Sequence, residues 1–415
     1  MKKYILFLFY IGSTNALMSE EIIVCKTCDI ASIKHAVKTA QSGDTITVKE
    51  GIYNETEIVI DKPLTVMGQN VIIDAGFNGG IFEIIADSVS ISGFTLNNTG
   101  MSYTKDIAAV YCYRINNFKF ENLIINKSQF AILVHKSKNG IIRKNTIVGN
   151  AETEAGGGNG IHLWHSNNIE IADNTITGMR DGIYFEFVDN SVILNNRSAE
   201  NLRYGLHFMF SNYNTYQNNS FENNGAGVAV MFSKFITMEN NLFKHNWGTA
   251  AYGLLLKEIY DGEISGNQFI QNTTGINVEG STRINYHNNT FDNNGWGVKI
   301  AGGCYDNNFT LNDFINNSFD VSYYGGMNNN TFYQNYWSEY AGYDLNYDGF
   351  GDITYRPVKL FSYVVGKTPE AIILMRSLFV DIINFSEKVT PVFTPDQIQD
   401  DTPVIDIINK SELND

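Results

Sequence analysis

Gly160-Ile161-His162-Leu163, Gly182-Ile183-Tyr184-Phe185, Gly205-Leu206-His207-Phe208 and Gly227-Val228-Ala229-Val230 open four successive copies of one pattern. Four more copies begin at Gly253, Gly275, Gly297 and, more weakly, Asp320. The steps between starts are 22, 23, 22, 26, 22, 22 and 23 residues. A second signal keeps the same period. Asn-x-Phe, with another Asn five residues after the first, occurs at Asn219/Asn224, Asn241/Asn246, Asn267/Asn272, Asn289/Asn294, Asn312/Asn317 and Asn330/Asn335. Self-similarity at a fixed period of this length is the mark of a solenoid.

The chemistry of each copy selects the solenoid. Apolar residues alternate with period two and are rich in Val, Ile, Phe and Tyr, which predicts strands. No apolar i, i+3, i+4 spacing runs through a copy, which excludes helical repeats. About 22 residues suffice for three short strands and three turns, and stacked coils pair strand on strand roughly 4.8 Å apart. Equivalent asparagines then lie above one another at a turn, where Asn tolerates left-handed backbone. Their side chains can also hydrogen-bond along the axis. The expected fold is all-β: a right-handed parallel β-helix of roughly eleven coils, a rod on the order of 50 Å long.

Around this centre the rest of the chain falls into place. The segment 1–16 has the layout of a secretory signal: Lys2-Lys3, an apolar run from Tyr4 to Ile11, and small residues up to Ala16. The run is too short for a membrane span, and an N-terminal anchor is the alternative. Export places the protein in oxidising surroundings. Residues 17–60 read as an N-terminal cap with the first coil, from the helical spacing of Ile33, Ala36, Val37 and Ala40 and the strand that follows Gly43-Asp44. That stretch resembles the cap of pectate-lyase-like β-helices. Residues 61–340 carry the coils, with insertions near Asn98–Ile107 and Asn150–Asn159. An Asp/Gly-rich closing loop (341–365), a helix (366–390) starting at Thr368-Pro369, and a mobile acidic tail (391–415) follow. With 44 acidic and 29 basic residues the net charge is −15, which argues against nucleic acid as a partner.

Alternation assigns faces. The residue after each Gly points inward, so Ile161, Ile183, Leu206, Val228, Leu254, Ile276 and Val298 form a core ladder. The outward positions are His162/Trp164, Tyr184/Glu186, His207/Met209 and Ala229/Met231, with His165 just beyond the first strand. Two readings fit this stripe. Aromatic residues and Met are common in protein interfaces, whereas imidazole and thioether are soft ligands suited to transient Cu(I), Met209 and Met231 lying on adjacent coils. No resident cofactor is expected. Elsewhere, Cys25 and Cys28 have the spacing of a thiol site or a small disulfide, and Cys112 falls at an inward position. Asp344, Asn346, Asp348 and Asp352 match the first half of an EF-hand-like calcium loop. The twelfth position is Tyr355 instead of Glu, so a plain Asp/Gly turn is the alternative. Carbohydrate-active chemistry would require clustered acid and base groups, and the stripe offers Glu186 alone.

The stretches "GNGIHLWHSNN", "RDGIYFEFVDNS", "LRYGLHFMFSN", "GAGVAVMFSKF", "AYGLLLKEI", "NYWSEYAGYDLNYDGFGD" and "YRPVKLFSY" resemble the NosD family over nearly the whole mature chain. The resemblance implies a non-enzymatic periplasmic accessory factor for maturing nitrous-oxide reductase. Such a factor helps assemble the reductase's copper–sulfur centre with an ABC transporter (ATPase plus permease) and a copper chaperone. It meets the membrane only through the transporter, for which the apolar segment Ala371–Val389 is the expected docking element. The alternative function class is a carbohydrate-active β-helix enzyme of the lyase or epimerase kind.

Overall fold

The computed structural model describes residues 19–249, 251–323, 325, 329–389 and 398–409; the segment 1–16 expected to be a signal lies outside them. The chain winds into a parallel β-helix with three columns of strands. One column is a separate sheet of twelve strands, from Ile58–Ile60 to Phe319–Tyr323. The other two are joined into a 25-stranded sheet by Thr65–Asp74 and Ser90–Asn97, which are long enough to bend through both. The longest column has fourteen strands, so there are about fourteen turns where the sequence period suggested roughly eleven. The extra turns sit at the ends, where the repeat is irregular. Glu21–Val24 already pairs with Thr45–Val48, and Thr331–Tyr333 still pairs with Asn308–Thr310.

The expected core ladder is in register: Ile161, Ile183, Leu206, Val228, Leu254, Ile276 and Val298 are paired coil to coil and fully buried. Beside it lies an aromatic stack. Phe221, Phe243, Phe269, Phe291, Phe314 and Trp337 follow one another at 5.5, 4.6, 5.0, 4.8 and 4.3 Å between ring centroids. The glycine that opens each repeat is there for closeness. A Cβ on Gly227 would lie 2.3 Å from the carbonyl oxygen of Gly253 one coil on.

The asparagine periodicity resolves into two buried ladders. One runs through Asn145, Asn174, Asn196, Asn219, Asn241, Asn267, Asn289, Asn312 and Asn335; the other runs from Asn201 to Asn317. Each Oδ1 accepts both the backbone N–H and the Nδ2 of its neighbour, as in Asn241 to Asn267 at 2.9 Å for both. Two expectations need correcting. The laddered residues are not the left-handed ones; that conformation belongs to the residue before each, such as Asn218, Asn240 and Asn288. The turn thereby swings the next side chain inward, where it can stack. The pair Asn330/Asn335 is also offset by one turn, because Asn330 bonds to Asn307 of a third, shorter ladder.

The C-terminal segment departs from expectation in two ways. The single helix is broken into α2 (Leu360–Lys367), a 3-10 turn (Pro369–Leu374) and α3 (Leu378–Val389), α1 being the cap helix Ile33–Thr39. The break lets Phe361, Val365 and Val380 pack on Trp296 and Phe319 of the last coils. No described helix is long and apolar enough to cross a membrane. The tail is also docked between residues 398 and 409 instead of mobile throughout. Asp400, fully buried, stands where the next ladder residue would be and accepts hydrogen bonds from Asn335 N (2.9 Å) and Nδ2 (3.2 Å).

Candidate functional site

The outward face of the twelve-stranded sheet carries the stripe, and pairing fixes its rows. Tyr111, Leu133, His162, Tyr184, His207, Ala229 and Leu255 form one row. Tyr113, His135, Trp164, Glu186, Met209, Met231 and Lys257 form the next. All the strand residues assigned to the stripe from the sequence therefore share one face, with His165 at the turn beside it. His162, Trp164, Tyr184, Glu186, Met209 and Met231 are half-buried, His165 is exposed and His207 is only 7% exposed.

The rings interlock. His162 meets Tyr184 at 4.6 Å, Tyr184 meets His207 at 5.1 Å, and Tyr204 meets His207 at 4.8 Å. His135, which the sequence reading missed, lies 5.9 Å from His162 and 5.4 Å from Trp164. Its strand, Phe130–His135, is separated from the next by the inserted loop that ends before Asn159. Aligning the apolar alternation across that insertion would have found it.

Burial sets the electrostatics. It drives the His162 pKa down to about 3, helped by His135 and Arg180. It drives His207 down to about 4, with Asp181 opposing and Arg203 and Arg180 assisting. His135 is lowered by burial as well, and Tyr184 is pushed up to about 12 by burial and by Glu186. At neutral pH these imidazoles are uncharged, the form that binds a metal ion or accepts a hydrogen bond. Neither ring nitrogen of His207 has a hydrogen-bond partner. Met209 and Met231 are in direct register, with Ala229 beside them as the small corner of the square.

Along the turn beside the methionines runs a second set, of which the sequence reading singled out His165 alone. His165, Phe187, Phe210 and Phe232 stack at 4.5, 5.2 and 5.1 Å with interplanar angles of 11, 11 and 12°. Each is left-handed at its turn, and the three phenylalanines are about 40% exposed. Their faces are spent on one another, so their edges meet solvent.

The other candidates lie apart. Cys25 and Cys28 are joined as a disulfide, so neither is a thiolate ligand. Asp344 accepts from the N–H groups of Asp348 and Gly349 at 3.2 and 2.9 Å, and Asp352 accepts from Leu345 N at 2.6 Å. The loop's own amides thus hold these carboxylates. Among the described residues no group of three or more His, Cys, Asp or Glu is arranged to hold a metal ion. Cys112 and Cys304 are buried free thiols.

Residues 148–346 match the family described as periplasmic copper-binding protein (NosD). Curated relatives include two described as probable ABC transporter binding protein NosD. That of Stutzerimonas stutzeri is 26% identical over 158 residues, which is 37% of this chain and only 36% of the relative. That of Pseudomonas aeruginosa is 25% identical over 401 residues, covering 84% of this chain and 85% of the relative. Among solved structures, the A-module of the Azotobacter vinelandii mannuronan C-5 epimerase AlgE6 aligns with a TM-score of 0.55 and 14% identity, over 72% of this chain and 93% of that one. XylC in complex with xylose aligns with a TM-score of 0.51 and 13% identity, over 65% and 75%. Identities this low carry the fold alone. With the family match across the middle of the chain and a relative of that name aligned over most of its length, the chain is a parallel β-helix protein similar to the NosD proteins.

Proposed function

We propose that this protein is an exported periplasmic accessory factor, without turnover of its own, that takes part in assembling the copper–sulfur centre of nitrous-oxide reductase together with an ABC transporter and a copper chaperone. The observation that carries the reading is the Met/His/aromatic stripe. Met209 and Met231 stand in register on adjacent coils, with His207, neutral and without a ring partner, on the same face. Two thioethers and a neutral imidazole are soft donors that fit Cu(I) as a passing cargo. The adjoining edge-exposed strip of Phe187, Phe210 and Phe232 suits a docking protein. The relatives' description as transporter binding proteins supports the transporter as a partner. The docking element on that side is the apolar surface of the C-terminal helices, where Ile373, Leu378, Phe379 and Phe385 are 86, 73, 61 and 68% exposed.

A carbohydrate-active enzyme fits the site less well. Sugar binding uses aromatic faces, and the exposed phenylalanines beside the stripe have theirs stacked against one another. Glu186 has no second carboxylate in either adjacent position of its row, where Trp164 and Met209 stand. The test is Cu(I) competition against a chromogenic chelator. The Met209→Leu/Met231→Leu protein should lose at least tenfold in affinity with its melting temperature retained. Undiminished Cu(I) binding by the double variant would overturn the copper assignment.

A further inference from the structure

Beside the stripe lies a charge imbalance that copper handling does not use. Arg180 and Arg203 are neighbours on adjacent coils, joined by a hydrogen bond from Arg203 N–H to Arg180 O of 2.9 Å. They share one fully buried carboxylate. Asp181 accepts Arg203 Nε at 2.9 Å and Nη2 at 2.5 Å, while Arg180 Nε lies 3.5 Å from it. The Nη2 of Arg180 donates to the neutral Oδ1 of Asn159 at 3.0 Å. Arg180 Nε itself is buried without a hydrogen-bond partner. Two guanidinium groups against one carboxylate leave one positive charge uncompensated, on a chain whose net charge is −15. Glu154, the other acid near Arg203, is exposed and screened by solvent.

The surroundings are built from polar groups. Tyr204 lies under the Arg203 guanidinium at 4.9 Å from its centroid and bonds to Tyr252. The orphaned imidazole of His207 is close enough for Asp181 and both arginines to act on it. Two repeat-breaking loops border the place. Gly158 O accepts from Arg180 N at 3.0 Å in one, and the other carries Tyr252. Arginine forks are preorganised for planar and tetrahedral oxygen anions.

We infer that Arg180 and Arg203 form a subsite for a small oxyanion or carboxylate, at the edge of the stripe and independent of the metal. Arg203 is largely committed to Asp181, so Arg180 supplies most of the free donors. The ligand is either a free anion or an acidic side chain of a docked protein, and the same chemistry serves both.

The test uses the metal-free, full-length protein, titrated calorimetrically with inorganic sulfate and, separately, with acetate at low ionic strength. Saturable binding of either is expected, at least tenfold weaker in Arg180→Gln and partly restored in Arg180→Lys. Asn159→Leu removes the neutral partner of Arg180 but keeps its charge, so it should bind the anion at least as well as the unaltered protein. The proposal is overturned if neither anion binds saturably, if Arg180→Gln binds undiminished, or if Asn159→Leu loses as much as Arg180→Gln. Because no copper is present, failure here leaves the copper assignment standing, and loss of Cu(I) binding in the methionine variant leaves this one standing.

Discussion

Replacing Asp400 by Ala should uncap the β-helix without unfolding it. The carboxylate is fully buried and closes the longer asparagine ladder. Its Oδ2 accepts Asn335 N at 2.9 Å, Asn335 Nδ2 at 3.2 Å and Trp337 Nε1 at 3.1 Å; its Oδ1 accepts Gln334 N at 3.1 Å and Thr402 N at 3.2 Å. Asn335 and Trp337 are themselves 0 and 1% exposed, so their donors would be stranded. A buried donor left without an acceptor costs about 1–3 kcal/mol, which puts the sum for these three at about 3 kcal/mol or more. The chain has a cheaper escape. Detaching residues 398–409 lets water reach those donors, so the cost appears as local opening. At about 1.4 kcal/mol per factor of ten, the opening equilibrium should rise at least a hundredfold. Hydrogen exchange reads this directly at the amides of Tyr355, Asp400 and Val404, which hold the tail in place at 2.8, 2.9 and 2.9 Å. Asp400→Asn should fall between the two. It restores the ladder residue, yet its NH₂ group must face donors that the carboxylate accepts from. Unchanged exchange at those three amides in Asp400→Ala, with the tail still protected, would refute the reasoning.

Two further predictions follow from the site. Burial lowers His207 from the ordinary 6.5 to about 4. Below pH 6.5 the unfolded chain therefore binds a proton that the folded one refuses, and stability falls as pH drops from about 6.5 toward about 4, by up to about 3 kcal/mol. Urea unfolding of His207→Phe should show a shallower decline over that window, and parallel curves for the two proteins would contradict the assignment. Ile373→Ser/Phe379→Ser/Phe385→Ser should abolish co-purification with the transporter while leaving the melting temperature unchanged, because these side chains face solvent. Retained co-purification would move the docking surface elsewhere. Point changes are the right tool, since deleting everything after Thr368 would also remove the cap at Asp400.

The central coils were legible because a solenoid repeats its solution. Gly160, Gly182 and Gly205 could be read as strand openers, and the residue after each as core, without any long-range information. What remained hidden was set by contacts with no period. Asp400 joins the asparagine ladder from 65 residues away, and nothing local distinguishes it from the neighbouring acids of an apparently solvated tail. His135 was masked by an insertion that breaks the count. Phe187, Phe210 and Phe232 were in view but fall outside the strand alternation, because each occupies the left-handed turn position. The chemistry of Asp181 was hidden for another reason. Its burial depends on two arginines, one preceding it directly and one 22 residues on, and only the stacking of coils brings that pair together.

The same stacking limits what the stripe can do with a metal ion. Strand spacing of roughly 4.8 Å places equivalent side chains on adjacent coils within reach of one ion, and those two coils apart on the order of 10 Å from each other. His162 and His207 are separated by the coil of Tyr184, which sits between their rings, so they cannot share an ion without a change of backbone. Met209 and Met231 are adjacent and can. The rigid pitch therefore favours a site with two thioethers and one imidazole at a single place over a chain of histidine-bridged ions. Such a donor set has the softness that Cu(I) prefers and supplies no carboxylate to hold a harder cation. Glu186 abuts Met209 on the far side from Met231, so it stays outside the set. Under the proposed function, a surface of this kind would discriminate by softness and would give up an ion when a partner offers more donors, which is what an intermediate in metal delivery has to do.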